Sequence, residues 1–537
     1  MISINDDYVN KKEMFKKYGI KVPYFDQETI KKKTYKNPTW IHFGGGNIFR
    51  AFQANLAQEL INLGKLDTGI IVAESYDEEI IELAYKPYQN RALKVILDTA
   101  GNFDKELIAS VTEALFISKN IDRMIEIFEN PSLQIATFSI TEKGYLNISS
   151  DGSFLPIITE GMVASDTINF ALKSDNIILQ VTALLYKRFQ AGKLKMALMS
   201  NDNFFQNSHK LRMSILDIAK SWEENSLIDK GFCDYLSDDY IVSFPHSMID
   251  KIVPAQAEIV SHSLKLSGFK EYEVINTNKR SITGAFVNAE LIRYLVIEDN
   301  FPNGRPAFDD LTGVYMTTRD IVSKSERMKV CACLNPIHTA IGALGCLLEI
   351  DWIYKIMQDL ALLKLARGVG YIEGLPVAED AEIINPKEFL DEVINSRLTN
   401  QYIPDSSERM TVDESTMLAI RFGVTINEYI KRPELDENSL KFIPFAIAGW
   451  FRYLVGETDS GQPMVLSPDP NGAQIAEIFK NMKVGEPVNQ ELIKEVLSNE
   501  SVFGFKSDVI SDKITEYFVQ MMQGYGAVRK TLNNVVK

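Results

Sequence analysis

The chain has 537 residues, 45% hydrophobic and 24% charged, with a formal net charge of −15. That length exceeds what one hydrophobic core usually serves, so two domains are expected, without excluding three. The acidic balance argues against nucleic acid or an anionic membrane as a main partner, since both need basic patches. It leaves room for an anionic small molecule held by a few local cations.

In chain order, the first residues (Met-Ile-Ser-Ile-Asn-Asp-Asp) have no basic or apolar signal region, so secretion is not expected. Thr39 to Phe43 is β-prone and runs into Gly44-Gly45-Gly46. Beyond Asn47, Phe52, Leu56, Leu60 and Leu63 fall at helical spacing, and Gly64 is a natural stop. The apolar run Gly69 to Ala73 then ends in Glu74. Strand, glycine turn, helix, strand, acid is the logic of dinucleotide binding: glycines let the backbone approach a pyrophosphate, and the acid bonds ribose hydroxyls. Phe49 stands where the third glycine of G-x-G-x-x-G belongs, and the acid comes about thirty residues on rather than about twenty. A tight turn in another α/β sheet is the alternative.

Strand-like runs follow at Ala92 to Leu97, Leu133 to Ser139 and Lys195 to Met199, separated by helix-compatible stretches at Ser118 to Phe128 and Thr167 to Phe189. This alternation predicts a doubly wound parallel sheet. Two runs end in polar clusters, Thr141-Glu-Lys-Gly-Tyr145 and Ser200-Asn-Asp-Asn203. Ligands bind at the carboxyl ends of such strands, so Asn203 is either a site residue or part of a turn. Ser243 to Pro254, with two prolines bracketing Asp250 and Lys251, reads as a rigid loop presenting an acid or as a solvated connection.

The Gly- and Pro-rich tract Asn300 to Pro306 precedes a change of pattern, and the boundary is placed at about residue 320. Residues 1–319 are then the nucleotide-binding domain and 320–537 a mostly helical one. Helical periodicity runs through Ile341 to Met357, Asp391 to Arg397, Glu414 to Arg421, Phe442 to Leu454 and Ile510 to Met522. The longest apolar stretch, around Ala340 to Ile353, is too short to span a bilayer.

At the junction lies Glu326-Arg-Met-Lys329-Val-Cys-Ala-Cys-Leu-Asn335-Pro-Ile-His338, which gathers a carboxylate, an amine, a carboxamide and an imidazole. Carbonyl and alcohol chemistry uses such groups, as a tunable base and as donors to a developing oxyanion. A polar helix start leading into a core helix is the other reading. Pro336 makes Asn335 an N-cap in this reading. Lys329 and His338 are nine residues apart, on opposite faces of a straight helix. They converge only if the backbone bulges between them. Cys331 and Cys333, with Cys233 and Cys346 elsewhere, form neither a disulfide framework nor a zinc site, and they suit a reducing cytoplasm.

With these residues in view, the chain resembles the polyol-specific long-chain dehydrogenase/reductase family. The matching stretches are Phe43 to Ala51, Thr141 to Tyr145, Asp202-Asn203, Ser243 to Pro254, Val296 to Phe301 and Asn335-x-x-His338-Thr, in family order. The resemblance implies a Rossmann-type α/β domain followed by a mostly α-helical one, with a metal-independent active site in the cleft between them. It implies NAD held by Gly44, Gly45, Gly46, Asn47, Ile48, Phe49, Arg50 and Glu74, with Ser75 leaving some room for NADP. By position, Lys329 would be the general acid/base and Glu326 its proton gate. Asn203 and Asn335 would polarise the substrate oxygen, while Asp250, His338 and Arg421 would hold substrate hydroxyls or a carboxylate. The family usually has four residues between this lysine and asparagine; here there are five, Val330 to Leu334.

The reaction implied is reversible hydride transfer at carbon 2 of an open-chain sugar derivative, with Lys329 drawn down from about 10.4 by desolvation. By analogy within the family, fructuronate/mannonate is favoured, ahead of mannitol/fructose and tagaturonate/altronate. Arg421, Lys251, Arg327 and Arg452 are the cations available to a sugar-acid carboxylate. Some members of the family are monomers. A nucleotide-sensing protein of the same fold without turnover is the reading from another class.

Overall fold

Six short strands build the first sheet: β1 (Trp40–Phe43), β2 (Ile70–Glu74), β3 (Val111–Phe116), β4 (Ile135–Phe138), β5 (Met196–Ser200) and β6 (Val242–Ser243). The computed structural model describes residues 1–98, 100–149, 152–403 and 405–537. It divides into two units, Met1–Ser323 and Lys324–Lys537.

In the first unit every neighbouring pair of these strands is parallel, in the order β3-β2-β1-β4-β5-β6. Chain progression therefore reverses direction between β1 and β4, the switch point of a doubly wound sheet. Ile41, Phe43, Ile71, Ala73, Ala136, Phe138 and Leu198 pack into one core. Trp40, Ile70, Val72, Ile135 and Met199 pack into another. Burial on both faces explains why these strands read as continuous apolar runs.

The third strand of the sheet is not Ala92–Leu97. That run pairs antiparallel with Phe103–Ile108 and parallel with Phe286–Ala289 in a separate four-stranded sheet. The place belongs to β3, whose edge position leaves Glu113, Ala114 and Phe116 partly exposed and so breaks the apolar signal. The expected helix Thr167 to Phe189 is two, Thr167–Lys173 and Ile177–Gln190. Asn176 divides them by accepting the Leu179 amide at 2.9 Å as an N-cap. The 243–254 segment is neither a rigid nor a solvated loop throughout. Ser247–Asp250 (β7) pairs antiparallel with Tyr294–Glu298 (β8), which pairs parallel with Val314–Thr317 (β9).

The glycine turn leads into α1 (Asn47–Ala51) and α2 (Gln53–Asn62), with Gly64 in left-handed conformation at the stop. Leu63 is exposed, so the buried stripe is Phe52, Leu56 and Leu60.

In the second unit, helix α3 (Arg319–Arg327), which begins just before the boundary, continues through a π-helical segment, Met328–Cys333, to α4 (Asn335–Leu347). By length and composition this 29-residue stretch could cross a membrane, but 78% of its most apolar window is buried inside the fold. Helix α4 packs on α5 (Phe442–Leu454), and α5 on α6 (Asp508–Met521). Every residue of α5 is buried, as befits a helix apolar on all sides. The expected helix Ile341 to Met357 breaks after Leu347, where Glu349 turns to φ +57°, and resumes at Ile353–Ile356. Among the described residues three more π segments occur, at Gly368–Gly374, Val393–Arg397 and Ala419–Gly423, the last two overlapping stretches whose periodicity predicts plain helix.

Candidate active site

A cavity of about 590 Å³ opens at the carboxyl ends of β1, β2 and β4, lined among others by Gly44, Gly46, Glu74, Tyr76, Ser139 and Asn176. Gly44 adopts φ +106°, and a Cβ there would lie 2.2 Å from the Ser139 carbonyl oxygen, so the turn can close onto β4 only as glycine. Gly46 caps α1, and the space where its Cβ would stand is open. The first amides of α1 lack intrahelical acceptors, and a helix start favours phosphate. The arrangement fits a dinucleotide pyrophosphate.

Glu74, 7% exposed at the end of β2, holds this turn together. Its Oε2 accepts the Gly45 amide at 2.7 Å, and its Oε1 accepts the amides of Ser75, Tyr76 and Asp77 at 3.1, 2.9 and 3.3 Å. The end of the second strand is where a ribose-binding acid belongs. Three residues expected at the cofactor turn their side chains elsewhere. Phe49 is fully buried and stacks on His42 at 4.6 Å. Arg50, 1% exposed, donates to Thr283 Oγ1 at 3.1 Å and to the Gly284 carbonyl at 2.6 Å. Asn47 Nδ2 donates to the Ile282 carbonyl at 2.9 Å. None of the three is among the residues that line the cavity. Ile48 follows Asn47 in the first turn of α1.

Asn203 is exposed in the loop that follows β5. Its neighbour Asp202, which sequence reasoning passed over as a site organiser, accepts the Ile140 and Thr141 amides at 2.9 Å each and the Tyr145 hydroxyl at 2.6 Å. The Thr141–Tyr145 motif thus latches the ends of β4 and β5 together. Burial raises the Asp202 carboxyl, against these hydrogen bonds. Asp250, 3% exposed, is the last residue of β7 and pairs with Tyr294.

In the second unit Lys329 is 1% and Glu326 6% exposed. Asn335 is the first residue of α4, and the N-cap is Leu334. The expectation of an Asn335 cap fails because the helix does not restart at Pro336: the chain enters α4 from the π segment. The widened turn is supported from outside. Thr425 Oγ1 donates to the Cys331 carbonyl at 3.0 Å, and a Cβ on Gly374 would stand 2.5 Å from the Ala332 carbonyl oxygen. Such π turns recur at functional sites.

His338 lies one turn into α4. Burial, with Arg421, Arg409 and Arg397 acting in the same sense against Asp405, pushes its imidazole down to about 4, so it is neutral at pH 7. Arg421 donates through Nη1 to Thr339 Oγ1 at 2.7 Å, while its buried Nε has no partner. The other cations proposed for a carboxylate are committed. Arg452 is fully buried, on the Glu457 and Thr458 carbonyls at 2.7 and 3.2 Å. Arg327 pairs with Glu379 at 2.7 Å, and Lys251 donates to the Glu290 and Ile292 carbonyls. Arg397 and Arg409 were not readable as partners of His338, because their proximity is a matter of the fold.

A switch-point cavity with a glycine turn and a strand-end acid, in a chain that also carries a buried lysine on a π turn, defines a dinucleotide-dependent dehydrogenase. Residues 38–310 match the mannitol dehydrogenase Rossmann domain, and residues 322–524 match the mannitol dehydrogenase C-terminal domain. The chain belongs to the mannitol dehydrogenase family. It is 45% identical to the D-mannonate oxidoreductase of Thermotoga maritima, over 99% of each chain. In fold it is similar to a substrate-free D-sorbitol dehydrogenase (TM-score 0.77, 20% identity, 97% and 98% of the two chains). It is similar as well to Pseudomonas fluorescens mannitol 2-dehydrogenase in a ternary complex with NAD and D-mannitol (TM-score 0.71, 23% identity, 96% of each chain). The resemblance and the fold class inferred from sequence hold.

Proposed function

We propose that the protein is an NAD(H)-dependent, metal-independent oxidoreductase that interconverts D-fructuronate and D-mannonate at carbon 2. The observation that carries the sugar-acid reading is the guanidinium group of Arg421 beside His338, with donors to spare and further arginines near. Guanidinium is the side chain best matched to a carboxylate; a neutral ketose needs no such charge. The 45% identity to a D-mannonate oxidoreductase supports the same reading.

Glu74 supports NAD(H) over NADP(H), because a carboxylate repels a 2′-phosphate. When bound, the nicotinamide accepts or supplies the hydride. Lys329 takes the hydroxyl proton as a free amine in oxidation and returns it in reduction, and Glu326, three residues earlier, passes protons to it. The amides of Asn203 and Asn335 stabilise the charge that develops on oxygen, each well-placed donor contributing about 3 kcal/mol. Asp250 and neutral His338 hold hydroxyls, and Arg421 the carboxylate.

The test is a panel of fructuronate, tagaturonate, fructose and fructose 6-phosphate with NADH and NADPH, followed by absorbance. Turnover of fructuronate with NADH is expected; a clear preference for fructose overturns the sugar-acid assignment.

A further inference from the structure

Glu414 is 1% exposed, and neither of its carboxyl oxygens has a hydrogen-bond partner. A buried carboxyl group without partners loses its hydration uncompensated and calls for an explanation. The charged and titratable groups that face it are Arg421, Asp469 and Cys346. Asp469 is fully engaged: it caps the helix Pro470–Phe479 and accepts the Ser415 amide at 2.8 Å and the Ser415 hydroxyl. Arg421 is not, since its buried Nε is bare and Nη1 alone is bonded, to Thr339. No hydrogen bond joins Glu414 to Arg421, and the two groups interact through charge alone.

Two acceptors and a donor, all buried and unpaired, thus belong to two side chains that act on each other electrostatically. We propose that Glu414 is a positioning residue for the acid substrate: as a neutral acid it leaves the charge of Arg421 whole for the substrate carboxylate, and as an anion it competes for the same guanidinium. This rests on the sugar-acid reading above. Burial holds the Glu414 carboxyl well above the usual carboxylate range, Arg421 opposing and Asp469 reinforcing. The same burial brings Arg421 down to about 10, with Glu414 opposing. His338, the other titratable group beside Arg421, is neutral from about pH 5 upward and adds no charge there.

The experiment measures KM for fructuronate and kcat from pH 6 to 9, with KM for NADH as the control, in the unaltered protein and in Glu414→Gln. In the unaltered protein KM for fructuronate is expected to rise about tenfold as Glu414 ionises, a change of about 1.4 kcal/mol. In Glu414→Gln, which keeps the shape and cannot ionise, it stays within about threefold across the range. KM for NADH is unaffected in both. A flat KM in the unaltered protein overturns the proposal without recourse to any variant, and so does an undiminished rise in Glu414→Gln. Absence of fructuronate turnover by the unaltered protein overturns the sugar-acid reading together with this one; turnover with a flat KM removes only the role of Glu414.

Discussion

The Leu334 amide donates to the Lys329 carbonyl, five residues back, at 3.1 Å. This bond closes the π segment and changes which residues share a face with Lys329. Each α-helical residue advances about 100°, so nine residues would set His338 opposite Lys329. A π turn takes up one residue without advancing the phase, leaving the two about 80° apart. The fifth residue between Lys329 and Asn335 is the residue this turn absorbs.

Deleting Ala332 is therefore expected to close the π turn into an α turn and preserve the phase of α4. The variant should fold, losing the Thr425 bond to the Cys331 carbonyl, about 1 kcal/mol. Deleting Ala343, within the regular part of α4, rotates everything beyond it by about 100° and should abolish folding. Circular dichroism and thermal unfolding separate the two. Equal loss in both would show that the π turn holds no spare residue.

Lys329→Ala is expected to lower turnover by about two to four orders of magnitude, the range of general acid–base contributions. NADH affinity, followed by fluorescence, should hold, because Gly44, Gly46 and Glu74 line a cavity in the other unit. A variant that keeps its activity places the base elsewhere.

The two outer glycines of the turn make opposite predictions. Gly44→Ala forces a Cβ against the Ser139 carbonyl at φ +106°, and should cost more than about 3 kcal/mol or prevent folding. Gly46→Ala meets open space at φ −70°. It should fold with near-normal thermal stability and weaken NADH, because the methyl group enters the cradle. Loss of folding in both would deny the distinction.

What could be read in advance was whatever local pattern decides. The strand, glycine turn, helix, strand and acid around Gly44 to Glu74 each carry their own signal, and Phe442–Leu454 forms the helix its composition predicts. Sheet membership is a different matter: β3 is partly exposed at an edge, while the apolar Ala92–Leu97 belongs to another sheet. The π segments have no composition of their own, since the widened turn is held by partners such as Thr425 and Gly374, far along the chain. Glu414 and Glu373 look like ordinary surface glutamates until the fold buries them.

Glu373, 1% exposed in the π segment Gly368–Gly374, caps α5 from a distance. Its Oε1 accepts the Lys441 and Phe442 amides at 2.6 and 2.8 Å, and its Oε2 the Ile443 amide at 2.7 Å. These are the orphan donors of a helix start, where negative charge is favoured. Burial nevertheless pushes the carboxyl up from 4.5 to about 7, the three amides opposing. Between those values the folded state binds the proton more tightly than the unfolded one. The stabilisation from this group is therefore complete below about pH 4.5 and is lost as pH rises to about 7, at about 1.4 kcal/mol per pH unit. Glu373→Gln cannot titrate. The stability of the unaltered protein relative to that variant should decline by up to about 3 kcal/mol across this window and then level off. Urea unfolding of both proteins at pH 4.5, 5.5, 6.5, 7.5 and 8.5 measures it. A relative stability that is flat or rises with pH would mean that the three amides keep Glu373 ionised throughout, and that the cap outweighs the burial.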